Sequence, residues 1–528
     1  MLALIPLPKQ FRETEGSFTL DGAYRSDFDL PLLSLYAKPS EDAAFCIRRD
    51  DSIVHEGYTL SVRPDGVLIK ASSAIGAYYA LQTVRRLASY DTGGREVPCC
   101  EIEDAPRFQW RGLQLDESRH FFGIETVKRL LDMMFAEKLN TFHWHLTDDQ
   151  GWRIEIDRFP QLTAVGSRRR KTQIGGWESF LCDSEPHEGY YTKAQIRDIV
   201  AYAEARGITI VPEIDFPAHC ASAMAAYPYL ACVEKETEVP YYFGGYIPQL
   251  RHFDFRWNRT LCCGKDSTFD FVYGVLDEVC ELFPSKYIHI GGDEAPHGEW
   301  QRCPACQQVM RDNRLQNETE LQGWFENKVI AYLKDKGRVA VGWNELIRAE
   351  GIDRDNVAVQ YWTRKRDAKA EAFVNNGGKA ILSNHQSFYF DMPYAMYPLT
   401  NTYQYQPEDF GINLQKAQNV LGVEGELWSE WIPDRARLDF LAVPRMQALA
   451  EVAWSPPEQR DFGDFKRRLD CVKPSLAAQG IGYAEDDLSL PEDKARSRYI
   501  IKKFHRGNPY LEVQINNKLK GDNQDEVQ

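Results

Sequence analysis

Two carboxylates stand side by side at Asp293 and Glu294, directly after the glycines of Tyr287-Ile288-His289-Ile290-Gly291-Gly292. An apolar run that passes through glycine into acid reads as a buried strand ending in a reactive turn. Other reactive residues recur where further apolar runs stop: Arg119 and His120; His143, His145, Asp148 and Asp149; Asp215 and His219; Trp343, Asn344 and Glu345; Trp362; Tyr389 and Asp391; Trp428 and Glu430. A lone acidic pair is most often a solvated loop, and a lone tryptophan is most often core. Three tryptophans converging with acids and an arginine form an apolar box with a hydrogen-bonding rim, which suits a sugar ring. Breaking a glycosidic bond needs an acid at the leaving oxygen and a nucleophile on the opposite face. Neighbours in extended chain point to opposite sides, so Asp293 and Glu294 do not suit the opposed acid and nucleophile of an ordinary retaining enzyme. They suit Glu294 as acid and then base, with Asp293 holding part of the substrate; if that part is a 2-acetamido group, its own carbonyl oxygen can attack C1.

The elements that position these residues form a repeating pattern. Eight β-rich runs, at 112–117, 141–148, 208–215, 287–290, 338–345, 357–362, 379–385 and 420–428, alternate with helical or turn stretches. Val127, Leu130, Leu131 and Met134 share one helical face, and Thr192 with Gln195 forms a capping box. Eight such units over about 350 residues predict an α/β fold, a (β/α)8 TIM barrel at 106–485 with its site at the C-terminal face. Residues 1–105 predict a small N-terminal α+β domain, from a hairpin around Pro64-Asp65-Gly66 and a helix at 74–88. Insertions at 160–190 and 226–266 are placed over the mouth of the barrel. Residues 486–528 form a C-terminal extension, and the charged tail from Lys518 to Gln528 predicts disorder.

The chain has 528 residues, 43% hydrophobic, and a net charge of -15. With no basic block, neither nucleic acid nor an anionic membrane surface is an expected partner. No run reaches the about 18 apolar residues of a membrane span. Met1–Pro8 lacks the basic region and cleavage site of a secretory signal. Twelve scattered cysteines predict reduced thiols and a cytoplasmic protein. Cys303-Pro-Ala-Cys306 has zinc-like spacing, but no second pair in the sequence completes four ligands, so it reads as a turn. His143-X-His145 places two imidazoles on one face, as a metal-dependent amidohydrolase requires. That chemistry also needs histidines at later strand ends, where Trp343 and Trp362 stand. No metal or cofactor is expected.

The runs Arg119-His120, His143-Trp-His145-Leu-Thr-Asp148-Asp149-Gln-Gly-Trp152, Pro212-Glu-Ile-Asp215-Phe-Pro-Ala-His219 and His289-Ile-Gly-Gly-Asp293-Glu294 resemble the family 20 glycoside hydrolases, the β-N-acetylhexosaminidases. So do Gly342-Trp343-Asn-Glu345 and Leu427-Trp428-Ser-Glu430. The likeness spans about residues 50 to 455. It implies an exo-acting enzyme that removes terminal non-reducing β-linked GlcNAc or GalNAc from a glycan or oligosaccharide, with retention and substrate assistance. Glu294 would be the acid/base, Asp293 the acetamido partner, and Tyr389 the donor to the acetamido oxygen. Trp343, Trp362 and Trp428 would wall the sugar, Arg119 would bind ring hydroxyls, and Asp391 and Glu430 would bind near C4 and C6. Asp148 and His219 would relay to Glu294, with Asp215 orienting His219. Two positions depart from the pattern. Ala218 replaces the usual glycine, and Tyr405 stands where tryptophan is frequent and is read as a substrate-binding aromatic.

Overall fold

A computed structural model describes residues 4–88, 94–243, 246–247, 252–253 and 259–525. Outside them fall the start of the Met1–Pro8 run, the centre of the 226–266 insertion and the last residues of the charged tail.

In the N-terminal region Tyr58–Arg63 and Gly66–Ala71 pair antiparallel across the Pro64-Asp65 turn. Tyr58, Leu60, Val62, Val67 and Ile69 are buried, because alternating side chains share one face of a strand. Five more strands complete a seven-stranded sheet with Gln10–Thr19 and Lys38–Pro39 at its edges. The helix Ala74–Leu87 buries Ala77, Tyr78, Val84 and Leu87, and Ser73 Oγ caps it by accepting from the Gly76 N–H at 3.2 Å.

Eight parallel strands then close a barrel: Trp110–Asp116, Thr141–His145, Thr209–Glu213, Tyr287–His289, Val339–Trp343, Val357–Tyr361, Lys379–Leu382 and Val420–Gly425. Closure comes from the eighth strand pairing with the first, Gly422 opposite Trp110 and Gly425 opposite Leu113. The expected TIM barrel is therefore present, with strands shorter than the β-rich runs. The fourth stops at His289 because Gly291 and Gly292 take φ of +69° and +94°; the fifth stops at Trp343 because Asn344–Ile347 coils into a 3-10 turn. Helix Asp266–Leu282 buries Phe271, Val272, Val275, Leu276, Val279 and Leu282 against the barrel, and the Thr192/Gln195 capping box opens Lys193–Glu204.

One expectation is corrected. Cys303-Pro-Ala-Cys306 does open a helix, Pro304–Asp312, but it does not stand alone: Cys262 Sγ lies 3.7 Å from both Cys303 and Cys306, and Cys232 Sγ lies 3.7 Å from Cys306. The tail is helical over Leu511–Asp525. Its composition is polar, yet two polar groups anchor it inside the protein. Buried Glu512 accepts from the N–H groups of Tyr394 (3.0 Å) and Ala395 (2.8 Å), and Asn516 accepts from Glu485 N–H at 2.8 Å. Among the described residues no helix is long and apolar enough to cross a membrane.

A buried polar seam joins the small sheet to the barrel. Asp104 accepts from Tyr58 Oη (2.6 Å), Lys138 Nζ (3.1 Å) and Trp454 Nε1 (2.8 Å), and Arg111 pairs with Glu56 at 2.6 Å. Burial pulls the Lys138 ammonium below its ordinary range and Asp104 opposes that pull. Asp104→Ala would leave the ammonium buried without its counter-ion. The expected loss is about 3–5 kcal/mol of unfolding free energy, read from denaturant and thermal midpoints; unchanged midpoints would refute this role for the seam.

Candidate active site

The turn after the fourth strand places both carboxylates. At Gly291 a Cβ would collide with Asp215 Oδ1, and φ is positive, so glycine alone fits there. The chain then bends until Glu294 itself sits at φ +48°, a sparsely populated conformation for a residue with a side chain. The two acids end in different surroundings: the Asp293 side chain is 17% exposed and that of Glu294 51%. Both approach His219 Nε2, at 3.7 and 3.9 Å.

His219 also has φ of +52°, and its Nδ1 faces Asp148 at 3.3 Å and Asp149 at 3.4 Å. Despite burial, the acids Asp148 and Asp293 hold its imidazole well above the ordinary range. The Asp215 carboxylate packs over Gly291 and lies 3.8 Å from His145 Nε2, while Asp149, absent from the sequence-based relay, is the acid beside His219 Nδ1 together with Asp148. Arg119 is clamped by Asp116 (3.1 Å), Asp148 (2.7 Å) and Gln150 (3.1 Å), and its guanidinium lies 5.2 Å from the Trp428 ring centre.

Aromatic rings line the same end of the barrel. Trp343 and Trp428 have centroids 5.7 Å apart, Trp428 and Tyr389 6.4 Å, and Trp362 stacks on Tyr389 at 6.1 Å. Their polar edges are fixed from behind, Trp343 Nε1 donating to Glu213 at 2.9 Å and Trp362 Nε1 to Glu345 at 3.0 Å. Tyr405 is not part of this wall. It is 2% exposed, its hydroxyl donates to Asn384 Oδ1 at 2.6 Å, and Phe388 and Phe410 cover its ring, so it cannot stack on a sugar.

Burial dominates the electrostatics. It raises Asp293 to about 7, helped by Glu294, Glu213 and Glu345 and opposed by His219. Glu430 is likewise raised by burial to about 7, against the pull of Arg119, and Asp391 lies well above the carboxylate range through burial and the nearby Glu430. The Tyr389 phenol is pushed well above its ordinary range by burial, with Glu426, Asp391 and Asp293 adding to it, so it keeps its proton. Asp293 Oδ1 and Asp391 Oδ1 are buried without a hydrogen-bond partner among the described residues.

Beneath the rings the barrel is filled by a charged network that the sequence reading missed. Glu213 bonds His145 Nδ1 and accepts from Trp343 Nε1, and it lies 3.0 Å from His143 Nε2 and 2.7 Å from His289 Nδ1. Glu424 receives His143 Nδ1 (2.7 Å), Trp110 Nε1 (2.6 Å) and Gln360 Nε2 (2.8 Å). These two acids raise His143 to about 10 against its burial. His143 Nδ1 and both nitrogens of His145 bond buried carboxylates, so the pair is part of this charged layer. The available signal was parity: His143 and His145, Glu213 and Asp215, and Glu424 and Glu426 repeat every second residue in otherwise apolar strands.

Comparison with known proteins agrees with this geometry. The model of "Glycosyl hydrolase family 20, catalytic domain" matches residues 108–457, and that of "Glycosyl hydrolase family 20, domain 2" matches 24–105. The chain belongs to glycosyl hydrolase family 20. It is accordingly a glycoside hydrolase of the beta-hexosaminidase type. It is 36% identical to a Beta-hexosaminidase of Porphyromonas gingivalis, over 94% of this chain and 66% of that relative, and 34% identical to one of Vibrio furnissii, over 85% and 76%. Among solved structures it is similar to the GH20 Exo beta-N-Acetylglucosaminidase of Vibrio harveyi in complex with N-acetylglucosamine, with TM-score 0.81, 31% identity, and 92% and 78% of the two chains covered.

The family's turn depends on Gly291. Gly291→Ala would push Asp215 and the reacting turn apart, and a misplacement of about 1 Å costs roughly 100-fold in rate. The expected outcome is a loss of that order in kcat/KM on an aryl N-acetyl-β-glucosaminide; wild-type kcat/KM would refute the steric argument.

Proposed function

We propose that this family 20 protein is an exo-acting β-N-acetylhexosaminidase, removing a terminal β-linked GlcNAc or GalNAc with retention through substrate assistance. The observation that carries the reading is the contrast at one turn: Asp293 is partly buried beside His219, with its Oδ1 atom enclosed and without a hydrogen-bond partner among the described residues, while its neighbour Glu294 is half-exposed. Two adjacent acids in different surroundings take different tasks. Glu294 gives its proton to the glycosidic oxygen as the C1–O bond breaks, and the acetamido carbonyl oxygen bonds to C1. Asp293 accepts from the acetamido N–H and faces the resulting oxazolinium, while the Tyr389 hydroxyl donates to the acetamido oxygen. Glu294 then takes a proton from water, whose oxygen attacks C1, opens the oxazolinium and restores the original configuration.

Trp343, Trp362 and Trp428 supply the apolar walls, and Arg119 the hydroxyl donor. Asp391 and Glu430 bind hydroxyls near C4 and C6 and close the space behind one terminal sugar, which supports exo action. The similar Vibrio harveyi protein, an exo enzyme seen with N-acetylglucosamine, supports the same reading. The twelve cysteines, all free thiols, support a reducing compartment such as the cytoplasm.

Glu294→Gln and Asp293→Asn should each lower turnover of an aryl N-acetyl-β-glucosaminide by about 100-fold to 10,000-fold, with the fold intact by circular dichroism. An aryl β-glucoside lacking the acetamido group should be nearly inert, and rapid cleavage of it would sink substrate assistance. The pH dependence has a definite sign. Asp293 acts as the anion, and its carboxyl is raised to about 7, so kcat/KM should fall as pH drops through about 7 and rise above it. Asp293→Asn should abolish that acid limb; its persistence in the variant would assign the limb elsewhere.

A further inference from the structure

Four cysteines from three separate loops converge beside the reacting turn. Cys232 closes the segment that follows the third strand, Cys262 precedes helix Asp266–Leu282, and Cys303 and Cys306 open helix Pro304–Asp312. Their Sγ atoms all lie within 4.8 Å of one another, with three of the six separations at 3.7 Å. Cys262 and Cys306 are fully buried and Cys303 nearly so. All four are free thiols. A tetrahedral zinc with Zn–S bonds of about 2.3 Å sets its sulfurs about 3.8 Å apart.

The backbone around the cluster is built for close approach. An antiparallel bridge pairs Ala231 with Leu261, the residues just before Cys232 and Cys262, and Cys262 N–H donates to Leu230 O at 2.8 Å. A Cβ at Gly264 would strike the Ala305-Cys306 backbone, so the absence of a side chain there lets the two loops touch. Lys265 Nζ donates to the carbonyls of Tyr229 and Ala231, each at 2.9 Å, and to Glu234 at 3.0 Å, and so ties down the segment on either side of Cys232.

We propose that Cys232, Cys262, Cys303 and Cys306 bind one structural zinc ion that staples together the loops following the third and fourth barrel strands. Four soft sulfur donors this close together select zinc or iron over calcium or magnesium, and a site closed by four protein ligands is the structural kind. The thiols lose their protons as the metal binds. The staple reaches the chemistry through short paths. Leu261 N–H donates to Pro217 O at 2.8 Å, two residues before His219, and Thr260 Oγ1 lies 3.5 Å from Pro296 O, two residues after Glu294. None of the four cysteines belongs to the acid pair or the aromatic wall, and the role of the zinc is positional.

The full chain, purified without a polyhistidine tag and dialysed, should carry about one zinc per molecule by mass spectrometry of its metals. Cys262→Ser and Cys306→Ser should lose it, while Cys471→Ser, at an exposed cysteine outside the cluster, should keep it. Should the serine variants fail to fold, the wild-type protein still decides. Titration with an organomercurial should release the zinc, and cobalt in its place should show thiolate charge-transfer absorption and tetrahedral bands. A metal-free chain with four readily alkylated thiols, a disulfide among these residues, or iron in the site would each overturn the assignment.

Discussion

The Glu213 carboxylate, fully buried in the middle of the barrel, is the constraint on which the mouth depends. A buried charge is tolerated only when it is paired and its lone pairs are filled, and Glu213 meets that condition with three imidazoles and one indole. TIM barrels are commonly filled by layers of branched aliphatic side chains. Here the upper layer is ionic, and each member fixes another. From Glu213 the contacts run through His145 to Asp148 at 3.0 Å, from Asp148 to Arg119 and His219, and from His219 to Asp293 and Glu294. The same carboxylate holds the Trp343 indole, so the floor of the barrel sets both the aromatic wall and the acid pair.

Above that floor the mouth gathers more carboxyl groups than it can ionise together. Asp215, Asp293, Asp391 and Glu430 are all held above their ordinary range, burial being the first cause in each. Such a site favours any cation that enters it, because each positive charge near the rim stabilises an anion otherwise disfavoured. On the proposed pathway positive charge develops on the sugar only as the bond breaks. The strain of unpaired acid is then relieved at the transition state rather than in the resting complex.

The barrel was legible in the sequence because periodicity survives in linear order. The helical faces at Val127 to Met134 and Phe271 to Leu282, and the eight apolar runs, need only local spacing to be recognised. The turn at Asp293 and Glu294 was legible for a similar reason, since glycines and acids follow one another directly. What escaped depends on contacts across the fold. Glu213, Glu424 and Gln360 sit inside strands whose neighbours are apolar, and nothing local reveals that their partners are histidines and tryptophans from other strands. Asp149 lies beside His219 Nδ1 through a meeting of the loops that follow the second and third strands, which local spacing does not show. Cys232 and Cys262 are separated by an insertion whose length hides their meeting with Cys303 and Cys306. Tyr405 was placed by analogy of position, and its burial under Phe410 is a property of packing alone.

The tail helix Leu511–Asp525 bears on how one wall of the site is held. Glu512 binds the backbone of Tyr394 and Ala395, three and four positions beyond Asp391 in the chain. The segment carrying one wall of the sugar site is thus tied down by a residue translated more than a hundred codons later. Arg445 holds the same segment from the barrel side, donating to the carbonyls of Phe390, Met392 and Tyr397, so the stretch around Asp391 is gripped by two polar anchors that both come later in the chain.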